Sequence, residues 1–289
     1  MKYSLMDAFP AFLKFWETGK NMPLEAQIEG WRITLADFPE LLQKQIDTYA
    51  LDGMNWRTAA CEHVFPFLEE RLPDMRKAHR LLPTVLSEVA KRAQPVLDCD
   101  LDILCVIYVG IGCGAGWATH YANQPAVLFG LENIAECGWA NADSLSGLAA
   151  HEMGHLAHST WREKAGLANG SGPWWMLYSE GFAQRCEQHI LGQESWHMNG
   201  GSAPDWLAAC RENETRLAML FLQAVEEAQP INHFFGSWYR VEGLAQTGYY
   251  LGREILRGWE EKGRSLGDLA VEKEFEYVMR TGLEALAGC

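Results

Sequence analysis

The sequence lacks the signals that would place it in a disulfide framework, in a membrane or on nucleic acid. It has no C-x-x-C pair: Cys61, Cys99, Cys105, Cys113, Cys137, Cys186, Cys210 and Cys289 are scattered. Scattered cysteines read as reduced thiols and argue against a cysteine-based zinc site. The opening stretch Met1-Lys2-Tyr3-Ser4-Leu5-Met6-Asp7 shows no apolar run followed by a small-residue cleavage site, so no secretory signal is visible. No segment approaches the roughly 18 uninterrupted apolar residues of a membrane span. Positive charge is scarce, with 24 Lys and Arg against 38 Asp and Glu and a net charge of −14. Such acidity repels nucleic acid and anionic membrane, so neither is expected as a partner. The chain is expected to be cytoplasmic. Internal repeats, low-complexity tracts and long linkers are also missing.

What is present is enough for a sizeable core: 289 residues, 48% of them hydrophobic. Many of the twelve Trp lie close to the motifs below, where they either line a cleft or pack the core. Apolar residues recur at three- and four-residue spacing around Tyr3–Glu17, Phe38–Tyr49 and Leu81–Ala93, which predicts helices. Leu101–Val109 is a β-type run, and Ala126–Glu132 reads as a second strand. Between them Gly110, Gly112, Gly114 and Gly116 mark a turn; the stretch has neither the G-K-[ST] ending nor the spacing of a phosphate loop. From Asp143 the pattern is helical again. Asp143 or Ser144 can cap a helix running to about Trp161, and Pro173 can open another that Gly192 stops. Further helices are predicted at 204–228, 242–260 and 270–286.

His151-Glu152-Met153-Gly154-His155 is an H-E-x-x-H sequence on the first of these helices. Residues four apart share a helix face, so both imidazoles can reach one metal ion. Glu152 projects beside the open coordination position, where it can take a proton from water. Imidazole with carboxylate suits zinc, one ion per chain. With nine His in the chain the pattern arises by accident in roughly one such chain in a hundred, so a third ligand decides its meaning. An acid on a neighbouring helix would complete the set, and Leu177-Tyr178-Ser179-Glu180-Gly181-Phe182-Ala183 follows, with Glu187 seven residues beyond Glu180.

These two segments together resemble the gluzincin zinc metallopeptidases, most closely their aminopeptidase branch, whose second motif reads N-E-G-F-A followed by another Glu. Here Ser179 replaces the Asn, and the loop Lys164–Pro173 makes the spacing between motifs longer. The resemblance implies Glu180 as third zinc ligand and Glu187 as a residue that orients a ligand histidine. His158 does not fit the metzincin pattern, which wants Gly at 158 and His at 161, where this chain has Trp161; it reads as solvated or as support for a ligand. Tyr249, three residues before Gly252, matches the Tyr that in this branch donates a hydrogen bond to the tetrahedral intermediate, with Tyr250 and His233 as alternatives. Gly130-Leu131-Glu132-Asn133 resembles the G-x-M-E-N strand motif, whose Glu grips a substrate amine, although one residue is missing.

The layout, which a group of bacterial zinc-dependent proteases shares, covers about residues 101–260. It implies an α+β, mostly helical fold: a thermolysin-like core with a small antiparallel sheet whose edge strand precedes the H-E-x-x-H helix. Residues 1–98 would be a helical region packed on that core, and 99–289 the catalytic region, one unit or two lobes. The implied function is zinc-dependent hydrolysis of a peptide or protein substrate, by an aminopeptidase or by an endopeptidase with a narrow substrate. A zinc-binding interaction module without activity is the alternative.

Overall fold

Asp102–Tyr108 is apolar at nearly every position and buried on both of its faces, which a strand can only be if neighbours flank it and helices cover it. The computed structural model describes residues 1–51, 53–199 and 205–288, without the side chains of Pro39 and Asn199. Along the chain run β1 (Lys2–Asp7), α1 (Phe9–Gly19), α2 (Leu24–Thr34), α3 (Pro39–Leu51), α4 (Trp56–Ala59) and α5 (Leu68–Leu97). Then come β2 (Asp102–Tyr108), β3 (Gly116–Tyr121), β4 (Gln124–Gly130), α6 (Leu131–Glu136), α7 (Ala142–Lys164) and α8 (Gly172–Leu191). The chain ends with α9 (Trp206–Glu212), α10 (Glu214–Glu226), α11 (Thr247–Glu261), α12 (Leu266–Ala270) and α13 (Phe275–Ala287). The fold is α+β and mostly helical, and no helix among the described residues is long and apolar enough to cross a membrane. The described cysteines are free thiols, and Cys289 lies outside the described residues, as does Pro204 at the start of the helix predicted over 204–228.

Contacts divide the chain into two compact units, residues 1–91 with 100–149, and 92–99 with 150–289. The first holds the sheet, in the order β1-β2-β4-β3. β1 runs parallel to β2, β2 parallel to β4, and β3 antiparallel to β4. Two expectations are corrected here. The sheet is mixed, not antiparallel, and the strand that precedes the H-E-x-x-H helix, β4, lies between β2 and β3 instead of at the edge. The reason is β3, which the Gly-rich stretch hides. It folds back on β4 through a tight turn at Ala122 and Asn123, both with positive φ (50° and 59°), and takes the edge position itself. The N-terminal prediction also shifts: Lys2–Asp7 is a strand, and the helix starts only at Phe9, with Pro10 in its first turn.

Helices α2 and α3 hold the turn that follows β2. Trp31 Nε1 donates to the Val109 carbonyl (2.9 Å), and the Tyr49 hydroxyl to that of Ile111 (2.7 Å). Gln45, fully buried, accepts from the Ile111 N–H at 3.1 Å. The second unit is helical, and α8 lies against α11 and α13 at its centre.

Candidate metal centre

Helix α7 is capped by Asn141, whose side-chain oxygen accepts from the Ser144 N–H at 2.9 Å. Neither Asp143 nor Ser144 acts as the expected cap; Ser144 is the third helical residue, whose N–H the cap receives. Pro173 lies in the first turn of α8, and Gly192, at φ 69°, ends that helix in the left-handed conformation. The loop between the two helices is largely exposed.

Glycines set how closely the helices cross. A Cβ on Gly154 would lie 2.6 Å from the Cys186 Cβ and 3.2 Å from the Ala183 Cα, so the H-E-x-x-H helix meets α8 backbone to backbone. A Cβ on Gly181 would lie 2.3 Å from the Gly252 carbonyl carbon, and one on Gly252 the same distance from the Leu177 carbonyl oxygen. Gly154, Gly181 and Gly252 thus belong to the contact surfaces of α7, α8 and α11, and they draw the polar residues beside them together.

At this junction His151 Nε2 and His155 Nε2 converge on one oxygen of Glu180, at 3.1 and 3.2 Å. His151 is buried, and His155 and Glu180 are partly so. Burial opposes charge on both imidazoles. It prevails at His151, helped by the neighbouring His155 and His197, and the pKa is lowered. At His155 the Glu180 carboxylate outweighs burial, by charge and hydrogen bond, and the pKa rises. Burial works against the Glu180 carboxylate as well, but the two histidines hold it well below the usual range. The Ser179 hydroxyl lies 3.2 Å from His155 Nδ1 and fixes that ring from behind. Glu152 is buried.

The donor set fits a divalent ion of intermediate softness. Ligand atoms of His151, His155 and Glu180 all lie within 4.8 Å of one another, within reach of one ion bound at about 2 Å from each. Two imidazoles and a carboxylate suit zinc and leave coordination positions over.

Tyr249, one turn ahead of Gly252 on α11, stands at the rim of this cluster, its ring 5.6 Å from that of His151. The alternatives lie elsewhere. The Tyr250 hydroxyl donates to Glu214 at 2.6 Å, and His233 packs on Tyr239. His158 is corrected: it is not solvated but buried against Trp175, Tyr178 and Phe182, where burial pushes its pKa down.

Glu187 is fully buried and accepts four hydrogen bonds, from Ser195 Oγ (2.7 Å), Gln184 Nε2 (2.9 Å), the His197 N–H (3.0 Å) and His197 Nδ1 (2.7 Å). It therefore orients His197, a residue the sequence did not single out. The His197 ring sits 5.0 Å from that of His151. No motif contains it. The segment that carries it is tied to α8 by Gln184 and Gln188, which both donate to the Ser195 carbonyl, and the Arg253 guanidinium lies over the adjacent Trp196 ring at 5.1 Å. Only that tertiary placement brings His197 to the site.

Glu132 and Gly130 belong to the first unit. Glu132 Oε2 accepts from the Gly110 N–H (2.7 Å) and Oε1 from that of Gly112 (3.1 Å), with no exposed surface. Burial pushes its carboxyl up to about 7, against the pull of those N–H groups. A Cβ on Gly130 would come within 2.5 Å of the Gly114 carbonyl oxygen. Both residues brace the Gly-rich turn. Glu132 is sealed in that turn, both of its carboxylate oxygens taken up by backbone N–H groups. No protein-family model, curated protein or solved structure matches the chain.

Proposed function

We propose that the chain is a zinc-dependent peptidase of gluzincin type, with His151, His155 and Glu180 as the ligands. The observation that carries this reading is the convergence of two imidazole nitrogens on one carboxylate oxygen, at 3.1 and 3.2 Å, beside a buried glutamate on the same helix. When bound, zinc supplies the Lewis acidity that acidifies water and polarises a carbonyl. Glu152 takes the proton from the attacking water and delivers it to the leaving amine. The Tyr249 phenol donates a hydrogen bond to the oxygen on which charge develops. Ser179 holds the His155 ring so that its Nε2 stays turned toward Glu180.

Between exo- and endopeptidase, Glu132 favours the second. Its carboxylate, the expected anchor for a free amine, is occupied by Gly110 and Gly112. We therefore propose cleavage within peptides.

The test pairs metal content with hydrolysis. Glu152→Gln retains the zinc of the wild type and loses activity by about 10²- to 10⁴-fold, while Glu180→Ala loses the ion held by His151, His155 and Glu180. Wild-type rates in Glu152→Gln, or a wild-type chain that takes up no zinc, would defeat the reading. Cleavage sites in a mixed-peptide digest decide the mode, and products shortened by single N-terminal residues would restore the aminopeptidase.

A further inference from the structure

We propose that His151, Glu187 and His197 form a second divalent-cation site that shares the His151 ring with the first. Ligand atoms of these three residues lie within 4.8 Å of one another, and all three side chains are buried. His151 turns Nε2 toward Glu180, and its other ring nitrogen, Nδ1, is buried without a hydrogen-bond partner among the described residues. A buried polar atom left so carries a desolvation cost that a ligand would relieve.

The carboxylate is already held as ligand carboxylates are, by partners behind it. Glu187 Oε1 is fixed by the Ser195 hydroxyl at 2.7 Å and the His197 N–H at 3.0 Å. Oε2 faces His197 Nδ1 at 2.7 Å, so the proton between them occupies the place of the ion. Two imidazoles and one carboxylate select an ion of the zinc, cobalt(II) or copper(II) class over magnesium or calcium, which take mainly oxygen.

Loading the site releases protons to the buffer. The Nδ1 proton that His197 shares with Glu187 leaves as the ion binds. His151, coordinating through Nε2 at the first site, gives up its remaining ring proton and bridges the two ions as imidazolate. The bridge rests on the first site being loaded as proposed above. The His151, Glu187 and His197 cluster does not.

The experiment strips the full-length protein with chelator, dialyses it against zinc and measures bound zinc by elemental analysis. Wild type should hold two ions per chain, His197→Gln one, and Glu180→Ala one. The glutamine at 197 keeps an amide donor for Glu187, so the fold survives while the ring ligand is lost. Copper(II) loading of the wild type gives a reading free of any variant: two ions joined through one imidazolate lose paramagnetic signal by coupling, and His197→Gln regains the signal of an isolated ion. One zinc in the wild type that Glu180→Ala abolishes and His197→Gln keeps would overturn the second site and leave the peptidase reading standing. One zinc that His197→Gln abolishes and Glu180→Ala keeps would uphold the second site and sink the first. Two zincs in His197→Gln, or two copper ions per wild-type chain that stay uncoupled, also overturn the proposal.

Discussion

Ser179 stands where the aminopeptidase pattern has Asn, yet its hydroxyl reaches His155 Nδ1, so a small polar side chain there still supports the His155 ring. Helical spacing made His151 and His155 legible as one face, while Glu180, one helix on, was legible only through the resemblance of the second motif. His197 was not legible, because no local period links it to His151. Glu132 was legible as a charged residue at a strand end, but its burial was not, since a carboxylate is rarely found fully sealed. Its pH behaviour follows from that burial. The folded carboxyl titrates near 7 against an ordinary 4.5, so the folded state binds the proton more tightly. The stability this gives is complete below about 4.5 and is lost as pH rises through 7. At one pKa unit per 1.36 kcal/mol, the loss amounts to about 3 kcal/mol. Of the neighbouring ionisable groups, Glu136 acts in the same direction as burial and raises the Glu132 pKa. Urea unfolding between pH 5 and 8 should show wild-type stability falling with a slope that Glu132→Gln removes. A Glu132→Gln variant with the wild-type slope would show that the carboxyl titrates normally.

At the scale of elements, the helices were read more fully than the strands. β2 and β4 are apolar through most of their length, and period and composition announce them. β1 alternates only weakly and owes its form to parallel pairing with β2, about a hundred residues later, which no window of sequence contains. β3 begins at a glycine of the turn and presents a half-exposed edge, so it offers neither an apolar run nor clean alternation. The helix crossings were half legible: glycines in both motifs were visible, but their partners were not. Gly252 and Gly258 share α11 and give a controlled comparison. Alanine favours a helix interior over glycine by roughly 1 kcal/mol. At Gly258 nothing lies within 4 Å of the added Cβ, so Gly258→Ala should be neutral or stabilising by up to that amount. At Gly252 the Cβ meets the Leu177 carbonyl oxygen at 2.3 Å and the Gly181 Cα at 3.0 Å, backbone that cannot turn aside. Overpacking costs about 1–3 kcal/mol and outweighs the propensity gain, so Gly252→Ala should be destabilised and, with Tyr249 one turn away, slower in the proposed peptide hydrolysis. Equal urea midpoints for the two variants would mean that α8 and α11 do not touch at these glycines.

For the whole molecule the governing quantity is charge. Net charge is −14, and both compact units carry more acidic than basic residues. Two opposing effects of salt then compete. Ion pairs weaken as the Debye length contracts from about 10 Å at 0.1 M to 3 Å at 1 M. Many pairs here, such as Lys20–Glu69 and Arg211–Glu194, are exposed and worth little at any ionic strength. The buried contacts, Glu187 with His197 and Arg253 with Glu254, are shielded from salt by the protein around them. What salt mainly removes is the mutual repulsion of the excess carboxylates, which is felt in the compact state and relieved on unfolding. Stability should therefore rise with ionic strength, by on the order of 1 kcal/mol, or about 2–4 °C in melting temperature for a chain of this size. The measurement is a thermal melt of the metal-free protein in potassium chloride from about 0.02 to 0.5 M, a range that spans the contraction of the Debye length. Chloride is the right choice because sulfate would strengthen apolar burial and mimic the effect. A melting temperature that fell with salt would mean that attractive pairs, rather than the surplus of negative charge, dominate the electrostatics of the folded chain.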